Sequence, residues 1–258
     1  EKTINASRKL LFNNFSNDLI AHVFTFIPCR NIYRCRLVSK RYRKIINNSL
    51  IISNSLIRSK DRKYLELFGL HLKGADFSQI DPKVKNIYID SLEGVNLRNI
   101  PENISFLSLH RCELKNRLTD IPFSINELHL FKCELEDINL QDIPEHVSFL
   151  SLHGCELKNK LTEIPFGISE LELSECELED INLQDIPENV SSLSFYSCNL
   201  EGVGLKDLPK TVFSLGVHYC DVGEELRHIP PTVSHLELFG KEFNLESVPK
   251  SVAFLNWE

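Results

Sequence analysis

The chain has 258 residues, 42% of them hydrophobic and 25% charged, with a formal net charge of −7. That length can bury a sizeable core in one large or two unequal domains. No apolar run is long enough to span a membrane and no secretory signal is visible.

The charge is unevenly spread. Residues 1–63 hold 14 Lys/Arg against 3 Asp/Glu, and the remainder holds 15 against 33. Such a split predicts two regions with different partners. In the basic region, Leu19, Ile20, Val23, Phe24 and Ile27 recur at the spacing of one helix face. Ser16 or Asn17 can cap that helix and Pro28 ends it. A second helical segment is expected over Asn31–Leu37 and a third from Ser39 to about Asn47. Three short helices cannot bury their apolar faces alone, so they need another domain or a partner.

Residues 12–50 resemble an F-box. The match runs through Phe15, Asp18, Leu19, Ile20, Val23, Phe24, Phe26, Ile27, Pro28, Ile32, Val38, Ser39, Lys40, Arg41, Tyr42 and Arg43. The chain departs from the pattern at Ser16, where a proline is usual, and at Asn31, where aspartate is frequent. The resemblance implies a three-helix domain that docks on the Skp-type adaptor, and through it a cullin, of an SCF ubiquitin ligase. By that resemblance the adaptor-binding residues are Phe15, Leu19, Ile20, Phe26, Ile27, Pro28, Ile32, Val38 and Tyr42. Arg30, Arg34, Arg36, Lys40, Arg41, Arg43 and Lys44 also suit phosphate contacts. No nucleic-acid reader motif accompanies them, so solvated helix faces matched to an acidic adaptor are expected.

A helical linker is expected over residues 51–66, and then the chain becomes periodic. Prolines recur at 82, 101, 122, 144, 165, 187, 209, 230 and 249. Each is followed by an apolar strand, as in Ile104-x-x-Leu107-x-Leu109-x-x-Cys112-x-Leu114. Residues 100–142 and 143–185 are a near-duplicate, each made of two such units. The pattern is that of the leucine-rich repeat and predicts a solenoid over residues 67–258. Leu67-x-x-Leu70-x-Leu72 reads as a degenerate first unit. Ile229–Asn244 is similar to FNIP-type repeats, which occur with F-boxes in amoebae and large viruses. The Ile-Pro-x-x-Val lead-ins are similar to repeats of bacterial effectors.

The expected fold class is therefore α+β: a small helical F-box, then a curved repeat solenoid with a parallel concave sheet. Units of 21 or 22 residues leave little room for a helix on the return side, so 3₁₀ or extended segments are expected there. Leu107 and Leu109 point inward and Phe106, Ser108 and His110 outward, because successive strand side chains alternate. Cys112, Cys133, Cys155, Cys176, Cys198 and Cys220 share one inward position and should form a buried column of free thiols, as suits cytosol or nucleus.

On the outward positions Phe106, His110, Phe131, Phe149, His153, Tyr196, His218 and Phe239 form aromatic and histidine columns, interleaved with Glu127, Glu170, Glu172 and Glu237. Aromatic ladders commonly mark interfaces, so these eight are the expected substrate-binding residues. The carboxylates suit a partner with basic and hydrophobic groups. Cross-strand packing is the simpler reading of each pair. Single cysteines at the repeat period lack metal-ligand spacing, and there is no phosphate loop or paired carboxylate site. No catalytic residue, metal or cofactor is expected. With an F-box before leucine-rich repeats, the resemblance implies the substrate receptor of an SCF-type ligase in the cytoplasm or nucleus of a eukaryotic cell. The alternative is an interaction module or pathogen effector that binds the adaptor or a host protein without promoting ubiquitination.

Overall fold

The computed structural model describes residues 49–52 (backbone only), 77, 85–89, 92, 94–157, 160–178, 181–222, 224–240 and 243–257. The expected adaptor-binding residues Phe15, Leu19, Ile20, Phe26, Ile27, Pro28, Ile32, Val38 and Tyr42 lie outside the described residues. So do Cys29, Cys35 and the repeat expected from Leu67. The chain divides into two compact units, Glu1–Leu107 and Ser108–Glu258.

In the first unit, strand β1 (Ser49–Ile52) pairs in parallel with β2 (Asn86–Ile89), Leu50 opposite Ile87 and Ile52 opposite Ile89. A helical linker was expected from residue 51. Ile51 and Ile52 are instead extended, which suits β-branched side chains with a parallel neighbour to pair with. The Lys85 carbonyl accepts from the backbone N–H groups of Ser105 and Phe106, where β3 (Phe106–His110) begins. Ile87, Ile89, Leu97, Ile104 and Leu107 are essentially inaccessible and form this unit's described core.

The second unit holds the end of β3 and seven further strands: β4 (Glu127–Phe131), β5 (Phe149–His153), β6 (Glu170–Ser174), β7 (Ser192–Tyr196), β8 (Ser214–His218), β9 (His235–Phe239) and β10 (Phe254–Trp257). From β4 to β10 each strand pairs in parallel with the next in chain order, in one constant register. The nine strands β2–β10 thus follow the nine repeating prolines.

The rung is dictated locally. From Pro101 to Pro249 the carbonyl of each repeat proline accepts from the residue three positions on, as Pro101 does from Ile104 and Pro144 from Val147, both at 3.0 Å. The residue before each proline is barred from the helical region. Hence Ile100, Ile143 and Ile186 are extended (ψ 127, 128 and 129) and end the short 3₁₀ helices Leu97–Asn99, Leu140–Asp142 and Leu183–Asp185. Asn139 and Asn182 cap two of these, their Oδ1 atoms accepting from Gln141 N at 3.0 Å and Gln184 N at 3.1 Å. Side-chain acceptors at a helix start satisfy donors that have no partner within the helix. The return side is therefore 3₁₀ and extended, as the unit length predicts.

The core repeats as well. In the rung of β5, Val147, Leu150, Leu152, Cys155, Leu157, Leu161 and Ile164 are all buried. The six cysteines are free and buried, as expected. Their thiols are not passive fillers: each donates to a backbone carbonyl. Cys133 reaches Leu109 O at 3.4 Å, Cys155 reaches Leu130 O at 3.4 Å, and Cys176 reaches Leu152 O at 3.2 Å, each on the preceding rung.

Candidate protein-binding face

Strand alternation sends Leu128, Leu150, Leu171, Leu193, Leu215 and Leu236 into the core and leaves three columns of side chains on the open face of the second unit's sheet. The last column reads His110, Phe131, His153, Ser174, Tyr196, His218, Phe239. Its rings stack across neighbouring strands. Centroids lie 4.9 Å apart for His110–Phe131, 4.1 Å for Phe131–His153, 4.2 Å for Tyr196–His218 and 5.1 Å for His218–Phe239, with planes within 10–21° of parallel. Two further stacks, His129–Phe149 at 5.1 Å and His235–Phe254 at 4.5 Å, extend the face.

The stacking has a consequence the sequence did not announce. His110 and His218 were expected to face solvent and are buried, at 4% and 8% exposure. Each lies flat against a ring on the adjacent strand, and His110 also sits 2.8 Å from the Ser108 hydroxyl. Phe106, in the first unit, is likewise buried, against Tyr88 at 5.1 Å. Phe131, Phe149, His153, Tyr196 and Phe239 are half-buried and present ring edges and faces to solvent. The column thus forms two stacks, His110–Phe131–His153 and Tyr196–His218–Phe239, and Phe149 stacks on His129 beside them.

Carboxylates lie among the rings. His129 Nε2 is 2.9 Å from Glu127 Oε1, and His153 Nε2 is 3.2 Å from Glu175 Oε2. The Ser151 hydroxyl donates to Glu172 Oε1 at 3.0 Å. Burial pushes the Glu172 carboxyl above its ordinary range and lowers His153 and His218, because a charge there loses hydration. The Tyr196 hydroxyl is pushed up to about 12 by burial and by the nearby Glu172 and Glu237 carboxylates. The middle column is low: Ser151, Ser194 and Gly216 surround Glu172 and Glu237. A Cβ at Gly216 would lie 2.8 Å from His218 Nε2 and 2.7 Å from Ser194 Oγ, so those side chains would have to shift to admit it.

Two features of the face escaped the sequence reading. One is the residue after each strand, which enters the left-handed region at Arg111, Lys132, Gly154, Glu175, Ser197, Tyr219 and Gly240. From Arg111 to Tyr219 its N–H donates to the last carbonyl of the next strand, at 2.7–2.8 Å. This places Lys132 and Glu175 beside the ladder, 3.7 Å apart. A column of residues with no shared chemistry gave no sequence signal. The other is the interruption of the ladder at Ser174. The buried thiols supply no nucleophile here. Desolvation raises Cys133 and Cys155 to about 12, far above neutral pH, so they stay protonated.

Among known protein families, residues 12–62 match the F-box domain. The solved structure of the leucine-rich repeat-containing protein LegL7 from Legionella pneumophila is similar in fold. The match has a TM-score of 0.54 at 18% identity, covering 81% of this chain and 82% of that one. The chain thus carries an F-box match near its start and a leucine-rich-repeat fold. No curated protein matches the sequence.

Proposed function

We propose that this protein is the substrate-recognition subunit of an SCF-type (cullin-RING) E3 ubiquitin ligase. The observation that carries the reading is the F-box match at residues 12–62, in a chain whose repeat sheet bears a half-buried ladder of aromatic and histidine side chains. F-box domains bind Skp-type adaptors, and a repeat domain in the same chain supplies the substrate contact. The protein itself is non-catalytic: it joins two partners and leaves ubiquitin transfer to the ligase. His110, Phe131, Phe149, His153, Tyr196, His218 and Phe239 form the substrate face of the second unit, with the half-buried members making contact and the buried ones holding them; Phe106, packed on Tyr88 in the first unit, is not counted in it. Six reduced cysteines fit the cytoplasm or nucleus of a eukaryotic cell, where SCF ligases work.

The test is affinity purification of the full chain from eukaryotic cells. An adaptor–cullin complex should co-purify and transfer ubiquitin. A Leu19→Ala, Pro28→Ala double variant should lose the adaptor while its repeats melt unchanged, because a buried Leu or Ile side chain is worth about 1.5–3 kcal/mol. Undiminished adaptor binding by that variant would remove the docking assignment. A captured complex that transfers no ubiquitin would turn the reading into an adaptor-binding module.

A further inference from the structure

The aromatic ladder is broken at one rung. His153 and Tyr196 sit directly opposite Ser174 in the sheet register, one strand away on either side. Elsewhere in this column neighbouring rings stack at 4.1–5.1 Å. Two strand spacings separate His153 from Tyr196, about 9.6 Å. That leaves room for one flat group stacked on both rings. The floor is the Ser174 side chain, at 6% exposure, whose hydroxyl is not among the buried polar atoms left without a partner.

The same strand is the acidic one. The open face of β6 carries Glu170 and Glu172 beside Ser174. Glu175, just beyond the strand, is already balanced by His153 at 3.2 Å and Lys132 at 3.7 Å. Glu170 makes no ion pair among the described residues, and Glu172 accepts the Ser151 hydroxyl and feels His129 without a direct ion pair to it. A hydroxyl, two flanking rings and the Glu172 carboxylate of the same strand thus surround the missing rung.

We infer that the gap at Ser174 is a slot for an arginine side chain of the bound protein, stacked between His153 and Tyr196 with Glu172 as its counter-ion. Guanidinium is planar, stacks on aromatic faces and offers forked donors to a carboxylate. A lysine ammonium has no plane to stack. The guanidinium fills the missing rung, meets the Ser174 hydroxyl and neutralises a carboxylate that burial disfavours. This inference rests on the sheet face being the substrate surface.

The experiment titrates the full chain with N-acetyl-arginine amide and follows the ring protons of His153 and Tyr196 by NMR. Lysine and citrulline amides serve as controls. Saturable shifts are expected with arginine, at least 5-fold weaker binding with lysine and none with citrulline. Ser174→Tyr closes the ladder and should abolish the arginine response; Glu172→Gln should weaken it about 10-fold. Should Ser174→Tyr fail to fold, the His153→Ala, Tyr196→Ala double variant removes the walls and should give the same loss. An equal response to lysine, or an arginine response that survives both variants, overturns the slot. Arginine binding at Ser174 with substrate capture unaffected by Ser174→Tyr would keep the slot and refute the sheet face as the substrate surface.

Discussion

The Cys155 thiol donates to the Leu130 carbonyl on the rung before it, at 3.4 Å across 25 positions of sequence. The bond explains why a small polarisable donor serves here better than a plain hydrocarbon. Leu130 O would otherwise lose an inter-rung partner. Cys155→Ala should destabilise by about 1 kcal/mol, the usual worth of a hydrogen bond plus a small packing loss. Cys155→Asp should prevent folding by burying a charge.

The thiol also sets a pH limit. Folding raises Cys133 and Cys155 from 9.0 to about 12. The folded state therefore holds these protons more tightly, and stability is full below pH 9. It is lost as pH rises from 9 towards 12, because the unfolded chain releases the protons first. Denaturant melts between pH 7 and 11 should show that fall. Native alkylation of Cys155 at pH 8 should be negligible until the chain unfolds, and rapid labelling would contradict its burial.

Inward and outward residues on one strand should part company in mutation. Leu150 is fully buried, and Leu150→Ala should cost about 2–5 kcal/mol. His153→Ala and Tyr196→Ala each lose one ring stack, about 1 kcal/mol. If the ladder holds the substrate, the surface pair should weaken co-precipitation of the bound protein far more than its melting shift explains. Full retention of the partner would move the contact to another surface of the repeats.

Glu172 should oppose stability at neutral pH. Its carboxyl is raised by burial, so the folded state prefers it protonated. Its contribution is then favourable below the unfolded value of 4.5 and declines as pH rises through the raised folded value. Glu172→Gln should melt higher than the parent at pH 7 and equally at pH 4. A variant less stable at pH 7 would show that Ser151 more than offsets the burial.

The 3₁₀ caps are a separable increment. Asn139→Ala removes the acceptor for Gln141 N and should cost about 0.5–2 kcal/mol. The equivalent position of a later rung is Gly204, at φ 80, and Gly204→Ala should destabilise by about 1 kcal/mol through the left-handed backbone instead. Equilibrium urea unfolding measures both, and equal stability of Asn139→Ala would show that solvent replaces the cap.

Much of this was legible because leucine-rich repeats write their fold in period and alternation. Pro82 to Pro249 mark nine turns, and the inward Leu, Ile and Cys positions mark the core. Strand β1 was not legible, because no proline leads into Ser49 and its partner Asn86 lies far along the chain. The burial of His110 and His218 was hidden for a different reason. Alternation says which side a ring leaves the sheet, whereas the tilt that lays it over a neighbour depends on what stands on the next strand. Ser174 was visible as a letter in the column, but a gap acquires meaning only when its flanking rings have positions.

The left-handed residue after each strand ties a rung forward, since its N–H reaches the next strand, whereas the cysteine thiol ties the same rung back. An interior rung is thus latched on both sides and a terminal rung on one. Loss therefore spreads inward from the ends rather than opening the middle, and the Ser174 slot sits in the portion of the array last to fray. The ladder is mounted where the scaffold is most slowly surrendered, so fraying of the last rung leaves its central rings in place.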